Sequence, residues 1–410
     1  MGDLGKEAYR FVDWLDKAGQ SLWQMLPLGP TGYGDSPYAS FSTFAGNPNL
    51  IALEPLLRDG YLSKQDLRAL RKLNADHIDY GQIIPLKQRA LAIAAKAFLK
   101  NSTQSKNKSF AQFKKAEAWW LNDYALFMSI KNSQDIIASE NNIEGAIWST
   151  FWPKKLALRE KKALFDWEES NKLNIELIKV IQYFFFSQWL ALKKYANDKG
   201  ISIVGDLPIF VANDSVDVWS HRELFQLDAA GQPVAVAGVP PDYFSATGQL
   251  WGNPLYDWPK HQENGFSWWI QRIKSNLVLF DYLRIDHFRG FESFWSIPFG
   301  NKNAVVGSWE KAPGQEFFSK LKSQLPSLPI LAEDLGFITD EVRKLRDSFS
   351  LPGMRILQFA FDAKESGKGL DVENSFLPHM YTKNSIVYTG THDNDTLLSW
   401  IQKAKKKELD

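Results

Sequence analysis

Four carboxylate side chains stand at the ends of apolar segments, and they are the first residues in this chain to suggest chemistry. Asp206, Asp286, Glu333 and Asp393 each follow an apolar run of strand length and precede loop residues. In a (β/α) barrel the strand bodies are buried, and polar residues gather at the rim where the strands end. We therefore expect these four carboxylates to share one polar site.

The run that ends at Asp286 carries the most detailed pattern. Tyr282, Arg284 and Asp286 alternate, so on a strand they lie on the same face. Arg284 should lower the pKa of Asp286 and keep it ionised, as a nucleophile or an electrostatic stabiliser requires. The same two residues could instead be a structural ion pair at a strand end. The local sequence alone leaves both interpretations open.

A carboxylate-rich site with few histidines and no cysteine could hold Mg²⁺ or Ca²⁺, or it could transfer glycosyl groups. For the second chemistry, Glu333 has the reach of a general acid, and its apolar neighbours Ala332 and Leu335 should raise its pKa. The 16 tryptophans suit either core packing or stacking on sugar faces. Together with two long Gly- and Pro-containing loops, they favour sugars as substrates.

The composition excludes several other classes of function. The net charge of +1 gives no reason to expect a nucleic-acid or membrane-surface partner. The absence of cysteine excludes disulfides, thiolate metal sites and a cysteine nucleophile, and it fits a cytoplasmic protein. No signal peptide opens the chain, and we expect no apolar run of membrane-spanning length.

The pattern of elements predicts an α/β fold of the (β/α)8 barrel type with a large helical insertion. Residues 1–51 should form the first part of the barrel with a rim loop at 29–38, and residues 52–200 a helical insertion. Residues 201–410 should complete the barrel and include a lid loop at 238–254. Six strands are predicted, near residues 21–26, 201–206, 277–286, 329–333, 355–361 and 385–390.

Six motifs in this chain resemble those of the 4-α-glucanotransferase family, also called amylomaltases or disproportionating enzymes (glycoside hydrolase family 77), which are relatives of the α-amylases. The resemblance covers essentially the whole chain. The matching segments are residues 29–38, 205–212, 238–254, 284–291, 332–336 and 391–396.

The resemblance implies roles for particular residues. Asp286 would be the nucleophile, Glu333 the general acid and base, and Asp393 the stabiliser of the transition state. Arg284 would orient the nucleophile. The positions that match substrate-binding residues of the family are Tyr38, Asp206, Asp242, Trp251, His287 and His392, and Tyr33 resembles part of a secondary glucan site.

The implied activity is a retaining transfer of α-1,4-glucan segments between maltooligosaccharides or starch chains, with no cofactor and no metal. Retention requires the two catalytic carboxyl groups to lie about 5–5.5 Å apart. The other readings that we weigh are an α-glucan hydrolase, a non-catalytic glucan-binding fragment and, more distantly, a carboxylate-metal enzyme.

A complete (β/α)8 barrel has eight strands, and only six are predicted here. By comparison with the family, the first and the last strands are expected to be missing. An open barrel exposes unpaired strand edges, so we expect the 410-residue chain to be poorly stable and weakly active or inactive.

Overall fold

The structure is a computed structural model that describes residues 2–74, 76–241, 245–361 and 374–403. Contacts between residues divide the chain into two compact units. The first comprises Met1–Gly205, Val211–Val234 and Gln271–Asp281, and the second comprises Asp206–Phe210, Ala235–Ile270 and Tyr282–Asp410.

The first unit is mainly helical, as the sequence pattern between residues 52 and 200 predicts. Helices α5 and α7 pack against each other along their length, and α3 and α1 pack against α7. Apolar side chains repeat at helical spacing on the inward faces, so burying these faces stabilises the unit. Its helices are α1 (Lys6–Lys17), α2 (Leu53–Arg58), α3 (Tyr80–Asn101), α4 (Gln104–Ala116), α5 (Ala118–Glu140), α6 (Lys154–Ala157), α7 (Lys161–Asp198) and α8 (Val216–Ser220).

Aromatic side chains supply much of the core of the first unit. Trp148, Trp189 and Trp219 are fully buried, and the indole N–H of Trp219 donates to the carbonyl oxygen of Leu156 at 3.1 Å. Buried rings with a satisfied polar atom are typical of core packing. Of the two explanations for the abundant tryptophans, packing therefore applies to these three.

Helix α7 is the one described helix that is long and apolar enough to cross a membrane by length and composition. The expectation that no run reaches that length is therefore wrong. Residues along α7 such as Phe185, Trp189 and Leu192 are buried within the first unit. Their burial gives α7 the character of a core helix.

Strand β1 (Leu22–Gln24) pairs in parallel with the start of β2 (Ser202–Pro208) in the first unit, with Trp23 opposite Ile203. These strands confirm the predictions near residues 21–26 and 201–206. In β2 the four consecutive residues 203–206 are all buried, as expected of a strand that is covered on both faces.

The second unit contains the end of β2 beside β5 (Tyr282–Asp286), and β5 pairs in parallel with β8 (Ile330–Ala332). Strand β9 (Gly353–Ile356) pairs in parallel with β10 (Ser385–Tyr388). Two predicted strands are shorter than expected. Residues 277–279 belong to helix α10, and residues 357–360 form a 3₁₀ turn.

A four-stranded antiparallel sheet in the second unit was not predicted. Its strands are β3 (Ala235–Val239), β4 (Gln249–Pro254), β6 (Ser293–Pro298) and β7 (Ser308–Lys311), in the order β4-β3-β6-β7. The segment 238–254, predicted to be a lid loop, thus begins and ends in strands of a hairpin.

The remaining helices occur between and after these strands along the chain. They are α9 (Trp258–Glu263), α10 (Ser267–Leu279), α11 (Gly314–Gln324), α12 (Asp340–Ser348) and α13 (Leu397–Lys403). The α/β class with parallel strands is therefore confirmed. Within the described residues of each unit the parallel strands form open runs, and they do not close into a barrel.

Candidate active site

Arg284 lies at the centre of the polar cluster predicted at the strand ends. Its side chain is 3% exposed, and its Nη1 atom lies 2.7 Å from Asp206 Oδ1 and 3.0 Å from Asp286 Oδ1. Its Nε atom donates to the sulfur of Met354 at 3.4 Å. Alternation along β5 puts Arg284 and Asp286 on one face, and β2 supplies Asp206 from the neighbouring strand.

The pKa of Asp286 differs from the sequence-based expectation. Burial raises it from 3.8 to about 6, although 30% of the side chain stays exposed. Arg284 lowers the pKa, but Asp206 and Asp393 raise it again. The prediction of a lowered pKa is thus wrong, because burial outweighs the effect of Arg284, whose charge is also shared with Asp206. At neutral pH a carboxyl group with this pKa is still mostly ionised.

Glu333 directly follows β8, and its carboxylate is held by two backbone N–H groups. His287 donates to Oε2 at 2.7 Å, and Leu335 donates to Oε1 at 2.9 Å. Burial and, after it, the charge of Asp286 raise the pKa of Glu333 from 4.5 to about 7. Arg284 and the two backbone amides oppose this rise. The predicted direction is confirmed, with burial as the main cause.

Asp286 and Glu333 are brought together by the register of two parallel strands. Ile285 of β5 lies opposite Ala332 of β8, and each carboxylate is the next residue along its own strand. The charge of Asp286 also raises the pKa of Glu333. A pair with separated pKa values and a shared environment suits one nucleophile and one proton donor.

His287 adopts the left-handed backbone conformation, with φ of 52°. This conformation turns the chain sharply after Asp286, so that the N–H of His287 reaches Glu333. Burial and the nearby Arg289 lower the pKa of its imidazole to about 3. The ring is therefore neutral at physiological pH and can offer one donor and one acceptor to a ligand.

Trp251 of β4 meets the edge of His287, with ring centroids 4.8 Å apart and planes at 85°. Its indole N–H donates to the side chain of Gln249 at 3.0 Å, and 38% of the residue remains exposed. The structure thus joins the predicted lid segment to the residue after Asp286, through one half-exposed aromatic ring.

Asp393 and His392 lie on the turn that follows β10. Asp393 is 72% exposed, and one of its carboxylate oxygens lies 3.4 Å from His392 Nε2. Its charge acts on the pKa of Asp286, which places it in the same electrostatic neighbourhood. The turn is fixed by Asn394, whose side-chain oxygen accepts from the Thr391 N–H at 2.9 Å.

The remaining predicted residues are Tyr33, Tyr38 and Asp242. Tyr33 and Tyr38 belong to the rim loop of the first unit, where Tyr33 is 94% exposed and the N–H of Tyr38 donates to Ser36 Oγ at 3.2 Å. A bridge between Thr31 and Ser40 closes this loop. Asp242 lies outside the described residues.

Two groups that sequence reasoning did not assign also belong to the site. Tyr388 of β10 has a pKa raised by burial, and the charges of Arg284 and Asp206 act on it. Asp334 accepts from the Met354 N–H at 2.7 Å and pairs with Arg346, which fixes β8 against β9. The feature of the sequence that could have identified Asp334 is its position directly after Glu333.

Comparison with known proteins places the chain in a family. The sequence profile described as 4-alpha-glucanotransferase matches residues 1–410. The chain belongs to the 4-α-glucanotransferase family. It is 49% identical to the 4-alpha-glucanotransferase of Thermus thermophilus and 48% identical to that of Synechocystis, and each match covers all of this chain and 78% of the relative.

Solved structures agree with this placement. The amylomaltase of Streptococcus agalactiae, in complex with acarbose, matches with a TM-score of 0.91 at 41% identity, over 100% of this chain and 79% of that one. As a 4-α-glucanotransferase, the chain is an enzyme that transfers segments of α-glucan.

Proposed function

We propose that this chain transfers α-1,4-glucan segments by a retaining double displacement, in which Asp286 is the nucleophile and Glu333 the general acid and base. The observation that carries the proposal is the pair itself. The two carboxyls follow opposed residues of β5 and β8, with pKa values of about 6 and about 7. At neutral pH one group is mostly ionised, while the other still holds a substantial fraction of its proton.

In the first step an oxygen of Asp286 attacks the anomeric carbon of the donor. The bond to the glycosidic oxygen breaks, and Glu333 gives that oxygen its proton. In the second step the 4-hydroxyl of an acceptor glucan attacks the same carbon. Glu333 takes the hydroxyl proton, and the ester bond to Asp286 breaks. Two inversions restore the α-configuration.

The other residues support this cycle. Arg284 fixes the orientation of Asp286, and the neutral imidazole of His287 binds a sugar hydroxyl. Asp393 stabilises the positive charge that develops on the sugar ring. We assign the binding of the glucan chain to Tyr38, Asp206, Asp242, Trp251 and His392, and a secondary glucan site to Tyr33.

The relatives support the proposed substrate class. The Streptococcus agalactiae amylomaltase binds acarbose, which supports an oligosaccharide in the corresponding site of this chain. We propose α-1,4-glucans and maltooligosaccharides as its partners, with no nucleic acid and no membrane. A cytoplasmic location fits the absence of cysteine.

The proposal also concerns the architecture. The alternation of parallel strands with helices supports a (β/α)8-type barrel, built from residues 1–51 and 201–410 around a helical insertion at 52–200. A structure determined in solution or in a crystal with a bound glucan tests this assignment.

The decisive experiment is incubation with maltotriose followed by chromatography of the products. Transfer gives glucose together with longer oligomers, whereas a hydrolase gives glucose and maltose without longer products. Asp286→Asn and Glu333→Gln should each lower the transfer rate by at least about a thousandfold. Asp340→Asn, at an exposed position at the start of α12, is the matched control and should keep wild-type activity. Amylose binding without any turnover would favour a glucan-binding fragment instead.

A further inference from the structure

The mechanism above does not use a pair of exposed aromatic rings, one of which follows Glu333 closely in the sequence. Phe337 is 68% exposed and Trp309 is 39% exposed. Their ring centroids are 6.4 Å apart and their planes differ by 25°. Large apolar rings left exposed next to each other usually mark a contact surface.

Both rings rest on the same guanidinium group. The central carbon of Arg289 lies 3.9 Å from the centre of the Trp309 ring and 5.5 Å from that of Phe337. Because one group lies over both rings, it holds the two exposed rings next to each other. We call Trp309, Phe337 and the underlying Arg289 the aromatic platform.

The platform is held rigidly from behind. Arg289 is buried and donates to the carbonyl oxygen of Phe337, and also to Ser293 Oγ at 3.1 Å. Trp309 is paired across the strands with Trp295, with ring centroids 5.4 Å apart. Rings fixed in advance lose little conformational freedom when a ligand binds, which favours affinity.

The platform is connected to the candidate active site through the segment that follows Glu333. Phe337 follows Glu333 by four residues, and Leu335 between them donates to the Glu333 carboxylate at 2.9 Å. Arg289 connects the turn after Asp286 to Phe337. Glu333 is the group that protonates the departing chain and takes a proton from the incoming one. A chain bound next to this segment is therefore on the acceptor side.

We propose that the aromatic platform is a binding site for the acceptor α-glucan, which stacks the apolar faces of its glucose rings on Trp309 and Phe337. This inference rests on the proposed function. Such a site explains how an acceptor glucan competes with water for the glycosyl enzyme. It takes neutral sugar chains, because the guanidinium charge is already covered by the two rings.

The test separates binding from turnover. In an Asp286→Asn background, retardation by linear amylose in a native gel should weaken about 3- to 10-fold on Trp309→Ala or Phe337→Ala, as expected for one aromatic contact. Dextran, an α-1,6-glucan, serves as the control polymer in the same gels. Phe299→Ala, at an exposed phenylalanine after β6 in the same unit, is the control variant and should bind amylose like the parent.

Kinetics of the active chain provide the second measurement. The ratio of kcat/KM for a long acceptor to that for glucose should fall in the two alanine variants, and it should be restored by Trp309→Phe or Phe337→Tyr. Restoration by an aromatic residue excludes simple misfolding as the cause. Unchanged amylose affinity in both alanine variants, or an equal loss in Phe299→Ala, overturns the proposal.

Two further outcomes are distinguishable. If the wild-type chain transfers glucan while both alanine variants bind and select acceptors normally, only the platform is wrong. If the wild-type chain has no transfer activity but amylose binding still depends on Trp309 and Phe337, the platform stands and the proposed function fails. A change from dimer to monomer in the alanine variants, measured by light scattering, would show a second copy of the chain as the occupant and overturn the proposal.

Discussion

The backbone N–H of His287 donates to Glu333 Oε2 at 2.7 Å, so the residue after the proposed nucleophile holds the proposed acid. The second oxygen of Glu333 accepts from Leu335. Two fixed donors stabilise the ionised form, yet burial and the charge of Asp286 prevail and raise the pKa to about 7. The proton affinity of Glu333 therefore depends on a balance between opposing contacts.

We expect a bell-shaped dependence of kcat/KM for maltotriose on pH. Asp286 must be ionised to attack, so the rate should fall as the pH drops through about 6. Glu333 must be protonated to act as an acid, so the rate should also fall as the pH rises through about 7. The two groups interact, so the measured values belong to the pair. The measurement is a rate profile between about pH 4.5 and pH 9.

The control for this profile is a glycosyl fluoride donor. Fluoride leaves without protonation, so the alkaline limb of the glycosylation step should flatten while the acid limb stays. An alkaline limb of unchanged steepness with the fluoride donor would contradict the role of Glu333 as the acid.

Arg284→Lys tests the positioning of the nucleophile. Lysine keeps the charge but is shorter and lacks the Nε group that bonds to Met354, so it does not hold a nitrogen where Nη1 contacts both Asp206 and Asp286. We expect kcat/KM to fall by about a hundredfold, since a displaced nucleophile loses much of its orientation. The acid limb of the pH profile should move to higher pH, because Asp286 loses part of the interaction that lowers its pKa.

Arg343→Lys is the matched control for this substitution, because Arg343 forms an exposed ion pair with Asp340 on α12. It should leave both the rate and the pH profile as they are. An acid limb that stays in place in Arg284→Lys would show that the arginine has only a structural role.

Trp251→Ala should raise the release of free glucose relative to transfer. The half-exposed ring lies against His287, and removing it opens the site to water. We expect the same direction for Tyr38→Ala, on the rim loop of the first unit. The measurement is the ratio of glucose to longer oligomers from maltotriose. Trp251→Phe is the control and should keep most of the transfer activity. An unchanged ratio in both alanine variants would show that Trp251 and Tyr38 do not exclude water from the site.

Gly205→Ala should destabilise the fold. A Cβ atom at this position would lie 2.2 Å from the ring of Phe280, which is itself buried. Overpacking of this kind costs about 1–3 kcal/mol, so the midpoint of thermal unfolding should fall by at least about 2 °C. Gly81→Ala, at an exposed position in the first turn of α3, should leave the midpoint unchanged or raise it slightly. Equal midpoints for the two variants would contradict the close packing at Gly205.

The strand ends that carry Asp206, Asp286 and Glu333 could be predicted, because each combines a buried apolar run with an abrupt change to polar residues. The length of the strand that ends at Asp286 could not be predicted. Leu277, Val278 and Leu279 are as acceptable in a helix as in a strand, and periodicity does not distinguish short apolar runs. In the structure they end helix α10.

The antiparallel sheet escaped prediction for a different reason. Its cross-strand partners, such as Trp295 and Trp309, are separated by a connection at residues 299–307 that contains Gly and Asn but is longer than a tight hairpin turn, so its sequence does not specify the pairing. The error in the pKa of Asp286 comes first from its burial and then from a charge that is distant in the sequence. Arg284 is two residues from Asp286, but the competing carboxylate Asp206 is 78 residues away from Arg284, so the sequence does not show the contact.

Strand β8 has only three residues, and Glu333 stands directly after it. So short a strand has few ladder hydrogen bonds to protect its amides, and we expect its end to open without unfolding of the rest of the chain. The N–H groups of Glu333 and Leu335 bond to Ile285 and to the Glu333 side chain, respectively. Deuterium uptake at these two positions should therefore slow when a sugar occupies the site, so that isotope labelling reports occupancy from within the catalytic segment itself.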